Sequence, residues 1–96
     1  MSRTTQTDLV QQLATLLQQT GEAHHQAFIE ADGVDPEWPL WYAEHLHENL
    51  PALLDAELTK AEIVYLLLSA DRQRGVEAPG SNWPRFYAKL WVARYH

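Results

Sequence analysis

The chain of 96 residues contains no cysteine. That excludes a disulfide framework, a thiolate metal site and a cysteine nucleophile. Basic residues are also scarce, with 7 Lys and Arg against 13 Asp and Glu and a formal charge of -6. A nucleic-acid partner needs clustered cations to displace counterions, and an anionic membrane surface needs them too, so neither is expected. The longest apolar run, Ile63 to Leu68, is far shorter than the ~20 residues of a membrane span. The first residues carry no apolar stretch of signal-peptide type, which makes the cytoplasm the expected location and residues 1–6 a flexible lead-in. Four scattered glycines build no phosphate loop, and no Gly-x-Ser-x-Gly elbow is present. What remains is one domain, 46% hydrophobic, with room for a single core.

The apolar residues recur at helical spacing, and nothing alternates with period 2 for long enough to make a sheet. Leu9, Val10, Leu13, Leu16, Leu17, Thr20, Gly21, His24, Ala27, Phe28 and Ala31 share one broad face, which predicts a helix over about 7–31, ended by Asp32-Gly33. Gly21 weakens this helix without changing the phase of its stripe. Asp35-Pro36 reads as N-cap and first turn of a second helix, about 36–50, with Pro51 ending it and a short turn following. Thr59-Lys60-Ala61-Glu62 is a capping box for a third helix, about 60–75. Its Ile63 to Leu68 run covers most of the circumference, so it is expected to be the most buried element. A loop over 77–82 precedes a last helix, about 83–95. The expected fold is therefore an all-α compact bundle of four main helices forming one domain over 1–96.

Two hexapeptides, Trp38-Pro39-Leu40-Trp41-Tyr42-Ala43 and Trp83-Pro84-Arg85-Phe86-Tyr87-Ala88, share Trp-Pro-x-aromatic-Tyr-Ala at a separation of 45 residues. Each opens a helix, which suggests two helix-plus-aromatic-helix units about a pseudo-two-fold axis. Proline presets the first turn, and alanine lets a neighbouring helix approach. Aromatic packing at the helix junctions explains the pattern most simply. On the second helix, however, Trp38, Trp41 and His45 point away from the Leu46/Leu50 stripe. They form a candidate interaction surface, because Trp and Tyr are enriched in binding hot spots.

Four polar side chains fall on or beside apolar stripes: His24, His47, Asp71 and Arg94. Buried charges and imidazoles require partners, so these are expected to meet, Asp71 with Arg94 above all. The alternative is a small polar pocket inside the bundle, lined by His24, His47, Asp71 and Arg94 with Tyr42 and Tyr87 assisting. Glu22-x-x-His25 and Glu44-x-x-His47 have di-iron spacing, but both glutamates project to polar faces. A single metal held by His24, His47 and Asp71 or Asp32 is the weaker version of the pocket, and no metal or cofactor is expected.

The stretch His24-x3-Phe28-x3-Asp32-Gly33-x-Asp35-Pro36-Glu37-Trp38-Pro39-Leu40-Trp41-Tyr42-Ala43, with Leu50-x-x-Leu53-Leu54 and Trp83-Pro84-x-x-Tyr87-Ala88, resembles small bacterial helical proteins of uncharacterised role. The resemblance implies a bacterial source and a standalone helical domain, and it brings no catalytic residues with it. The function expected from these features is a non-enzymatic interaction or accessory module, acting on a protein partner or as a homo-oligomer. A ligand-binding or metal-binding bundle around His24, His47 and Asp71 is the alternative.

Overall fold

A computed structural model of the chain describes residues 6–27 and 37–95. Within them lie five helices and no strand: α1 (Gln6–Ala27), α2 (Trp38–Leu46), α3 (Leu50–Leu54), α4 (Lys60–Glu77) and α5 (Trp83–Tyr95). The all-α bundle expected from periodicity is the fold. Positions 28–31 of the expected first helix, the Asp32-Gly33 stop, the Asp35-Pro36 start and positions 1–5 of the expected lead-in lie outside the described residues, while Gln6, expected in that lead-in, already belongs to α1.

Local chemistry sets most boundaries. Thr59 Oγ1 accepts from the Glu62 amide at 3.1 Å, and the Glu62 carboxylate accepts from the Thr59 amide at 3.0 Å, closing the capping box on α4. Asn82 Oδ1 caps α5 by accepting from the Arg85 amide at 3.0 Å. Both repeat helices begin at their tryptophan, with the proline in the first turn, where a missing amide hydrogen costs no helical bond. Two expected ends are corrected. The second helix stops at Leu46, before the turn 47–49, rather than running on to Pro51, and the short turn expected at Pro51 is present as α3, with the proline in its first turn. α4 passes through Gly75, where nothing crowds the backbone, and ends only at Glu77, ahead of Pro79 and a positive-φ Gly80.

The four long helices make a square. α1 packs chiefly on α5 and α4 chiefly on α2, with smaller α4–α5 and α1–α2 contacts completing the ring. α1 and α4 thus stand at opposite corners, and each long helix packs mainly against the Trp-Pro helix of the other half. Burial repeats with the same logic. From 38–46 to 83–91 the exposure class agrees at all positions but His45 and Leu90. From 13–27 to 63–77 it agrees at all but three. Leu13, Leu17, Thr20 and His24 thereby correspond to Ile63, Leu67, Ala70 and Arg74, although the residues themselves differ. The halves are equivalent in packing rather than in composition, and α3, lying on α1 and α5, is the element that breaks the pattern.

The core runs along the middle of the square, with Leu13, Leu17, Leu46, Leu50, Ile63, Leu67 and Trp91 fully enclosed. Thr20, buried among them, donates from Oγ1 to the Leu16 carbonyl at 2.7 Å and so brings no unmet donor into the core. The expectation that the third main helix is the most buried is corrected. Ile63, Leu66, Leu67 and Ala70 face inward, but Tyr65, Leu68 and Val76 are 57%, 49% and 79% exposed. A corner helix with two long neighbours has only part of its circumference covered, whatever its composition.

Candidate functional aromatic cleft

The first turns of α2 and α5 and the C-terminal halves of α1 and α4 meet at one end of the square. They enclose a cleft of about 260 Å³ lined by His24, Trp38, Tyr42, Asp71, Arg74, Trp83 and Tyr87. Six of these seven fall into equivalent pairs: Trp38 with Trp83, Tyr42 with Tyr87, and His24 with Arg74. Asp71 alone has no charged counterpart, because its equivalent is Gly21. The repeat therefore builds an aromatic box from both halves, and one carboxylate gives it direction.

The rings stand at steep angles to one another. Trp38 and Tyr42 meet at 90° with centroids 5.7 Å apart, Tyr42 and Trp83 at 80° and 5.9 Å, and Trp83 and Tyr87 at 67° and 5.2 Å. Such edge-to-face contacts are favoured by the ring quadrupoles and fix each ring against the next. His24 leans on the back of the box, 5.0 Å from Trp41 and 5.1 Å from Tyr42. Gly21 is part of the same construction. A Cβ there would lie 2.9 Å from Trp83 Cζ2, so a hydrogen is the only side chain that lets the indole reach Tyr42.

Two hydrogen-bond systems hold the polar rim. Tyr87 donates its phenolic hydrogen to Asp71 Oδ1 at 3.1 Å, joining α5 to α4. Burial, reinforced by the adjacent Asp71 carboxylate, pushes the Tyr87 phenol well above its ordinary range, so it remains a neutral donor. Burial raises the Tyr42 phenol too. Arg74 donates through Nε (3.1 Å) and Nη2 to the Ser81 carbonyl, tying the 78–82 loop to α4. Ser81 Oγ in turn donates to the Ala78 carbonyl at 2.7 Å.

Of the six expected pocket residues, His24, Tyr42, Asp71 and Tyr87 are thus brought together, and His47 and Arg94 are not. The expected buried polar network is corrected with them: Asp71, His47 and Arg94 are exposed, and His24 is half-buried. His47 follows the end of α2, where helical phase no longer decides direction. Arg94, in the last turn of α5, lies 5.8 Å from the ring centroids of both Tyr65 and Tyr95 instead of pairing with Asp71. Its alkyl stem can lie along apolar surface while the charged guanidinium stays in water. Of the interaction surface, Trp38 joins the cleft, and half-buried Trp41 stacks on His45 at 3.7 Å and 15°.

Sequence reasoning missed Trp83 and Arg74 as lining residues. Trp83 carried a usable signal, since it is the repeat partner of Trp38. Arg74 carried none, because its equivalence to His24 lies in burial alone. Among the described residues no three His, Asp or Glu side chains are grouped to hold a metal ion. Glu22 and His25 are exposed, and Glu44 is engaged by Lys60 at 2.8 Å, which holds its carboxyl below the usual range. No helix among the described residues is long and apolar enough to cross a membrane. No family model, curated protein or solved structure matches the chain.

Proposed function

We propose that the protein is a non-enzymatic binding module whose ligand site is the aromatic cleft. The observation that carries this reading is convergence. Tryptophans and tyrosines from both halves, 45 residues apart in the chain, line one concave site with a single carboxylate at its rim. Clefts with apolar walls and a few placed polar groups are the usual form of small-molecule sites, and this one, at about 260 Å³, suits a small ligand. Native mass spectrometry of the freshly purified protein tests this. A stoichiometric adduct of low mass that disappears in Trp83→Ala supports the cleft. An adduct unaffected by that change, or indole signals of Trp38 and Trp83 that never move across a small-molecule panel, overturns it.

A second reading, self-association, is favoured by the outer face of α4. Among the described residues Tyr65, Leu68 and Val76 are three of the four large hydrophobic side chains that stand exposed, and they flank a groove with Arg72 and Glu77. An antiparallel pair of α4 helices centred on Leu68 and Ser69 would set Tyr65 opposite Arg72 of the second copy, joining a ring to a cation on each side of the centre. Sedimentation equilibrium would then show a dimer that Leu68→Glu converts to monomer, and a wild-type monomer at high concentration would rule it out.

A further inference from the structure

We infer that the aromatic cleft selects a small quaternary ammonium compound, its methylated nitrogen enclosed by Trp38, Tyr42 and Trp83 and balanced by Asp71. The inference rests on the binding reading above and adds the chemistry of the ligand. Three features point the same way. Ring junctions of 90°, 80° and 67° make the walls of a box rather than the parallel plates that a flat ligand needs for stacking. Aromatic boxes attract, through the negative faces of their π systems, cations whose charge is spread over methyl groups and only weakly hydrated. The Asp71 carboxylate supplies the formal counter-charge. Its Oδ1 is fixed by Tyr87, and the residue is exposed at the rim. Arg74, the other charge at the rim, is held to the Ser81 carbonyl by Nε and Nη2. It marks the end of the cleft where a polar or anionic tail would lie, away from the nitrogen. The formal charge of -6 adds a long-range attraction for a cation.

The test is a titration of the protein with choline and with 3,3-dimethylbutan-1-ol, its neutral isostere, read on the four indole N–H resonances. The expected result is saturable movement of the Trp38 and Trp83 signals with choline, the enclosed Trp91 signal remaining still as an internal reference. The isostere should bind about tenfold more weakly, because it keeps the shape and loses the cation–π attraction. Asp71→Asn, at an exposed position and with an amide oxygen still able to accept from Tyr87, should fold normally and lose choline affinity by about tenfold. A trimethyllysine peptide is the second probe. If it binds more tightly than choline, the ammonium belongs to a protein side chain; if choline binds as well, to a free solute. Equal binding of choline and its isostere would overturn the ammonium inference and leave the binding reading standing. Failure of every probe and of a broader small-molecule panel to move Trp38 or Trp83 would overturn both.

Discussion

Tyr42 and Tyr87 occupy equivalent places in the two repeats, and at the scale of single residues their hydroxyls have different work. Tyr87 donates to Asp71, whereas the Tyr42 hydroxyl has no such carboxylate, since the position equivalent to Asp71 is Gly21. Tyr87→Phe should therefore cost about 1 kcal/mol, the usual net value of one hydrogen bond, and Tyr42→Phe close to nothing. Urea unfolding of both variants measures the difference, and equal costs would deny the bond its role. The same pair predicts a pH dependence. The folded state holds the Tyr87 proton more tightly than the unfolded chain, whose phenol titrates near 10. The stabilisation is thus complete below about pH 10 and drains away as pH rises toward the higher folded value. Melting temperatures taken between pH 8 and 11 should fall more steeply for wild type than for Tyr87→Phe.

At the scale of elements, most of the helices were legible and their ends less so. Periodicity and capping chemistry located α4 and α5, because Thr59-Glu62 and Trp83-Pro84 act locally and tertiary packing agrees with them. Thr59→Ala removes the acceptor for the Glu62 amide and should destabilise the protein by about 1 kcal/mol, while Thr59→Ser should retain most of that stability. The circumference of α4 misled, since hydrophobicity on all sides signals burial only when neighbours exist on all sides. α1 contains the opposite lesson at Gly21, a residue that looks like a defect on the helical wheel. Gly21→Ala would gain about 1 kcal/mol of helix propensity. It would also drive a methyl to 2.9 Å from an indole already wedged between Tyr42 and Tyr87, and overpacking of this kind costs about 1–3 kcal/mol. The clash should win: a lower melting temperature together with a shifted Trp83 indole signal is expected. A rise in stability with that signal unmoved would mean that the glycine serves no packing purpose.

Across the whole molecule the pseudo-symmetry decides how far a site can be read from a sequence. The Trp-Pro hexapeptides announced the two halves, and of the polar groups on apolar stripes His24 and Asp71 line the cleft while His47 and Arg94 do not, with Tyr42 and Tyr87 assisting as expected. What could not be read is that α1 and α4 match at an offset of 50 while the hexapeptides match at 45. Ten residues separate Ala27 from Trp38, and only five separate Glu77 from Trp83. The matched positions of the long helices share burial rather than identity, so His24 and Arg74 become partners only once folded. This equivalence has a mechanical consequence. Ala43 and Ala88 are 1% and 0% exposed and take the same place in α2 and α5, where each helix backs onto the long helix of the other half. Neither site leaves room for added methyl groups, so Ala43→Val and Ala88→Val should each destabilise the fold by about 1–3 kcal/mol. If the two junctions act as one cooperative core, both variants should unfold in a single transition, with urea m-values like that of wild type. Their double variant should lose about the sum of the two, because the alanines lie in separate helices that pack chiefly on different long helices. A broadened or two-step transition in one variant alone would show that the halves are unequal in stability, and that the cleft between them is held chiefly from one side.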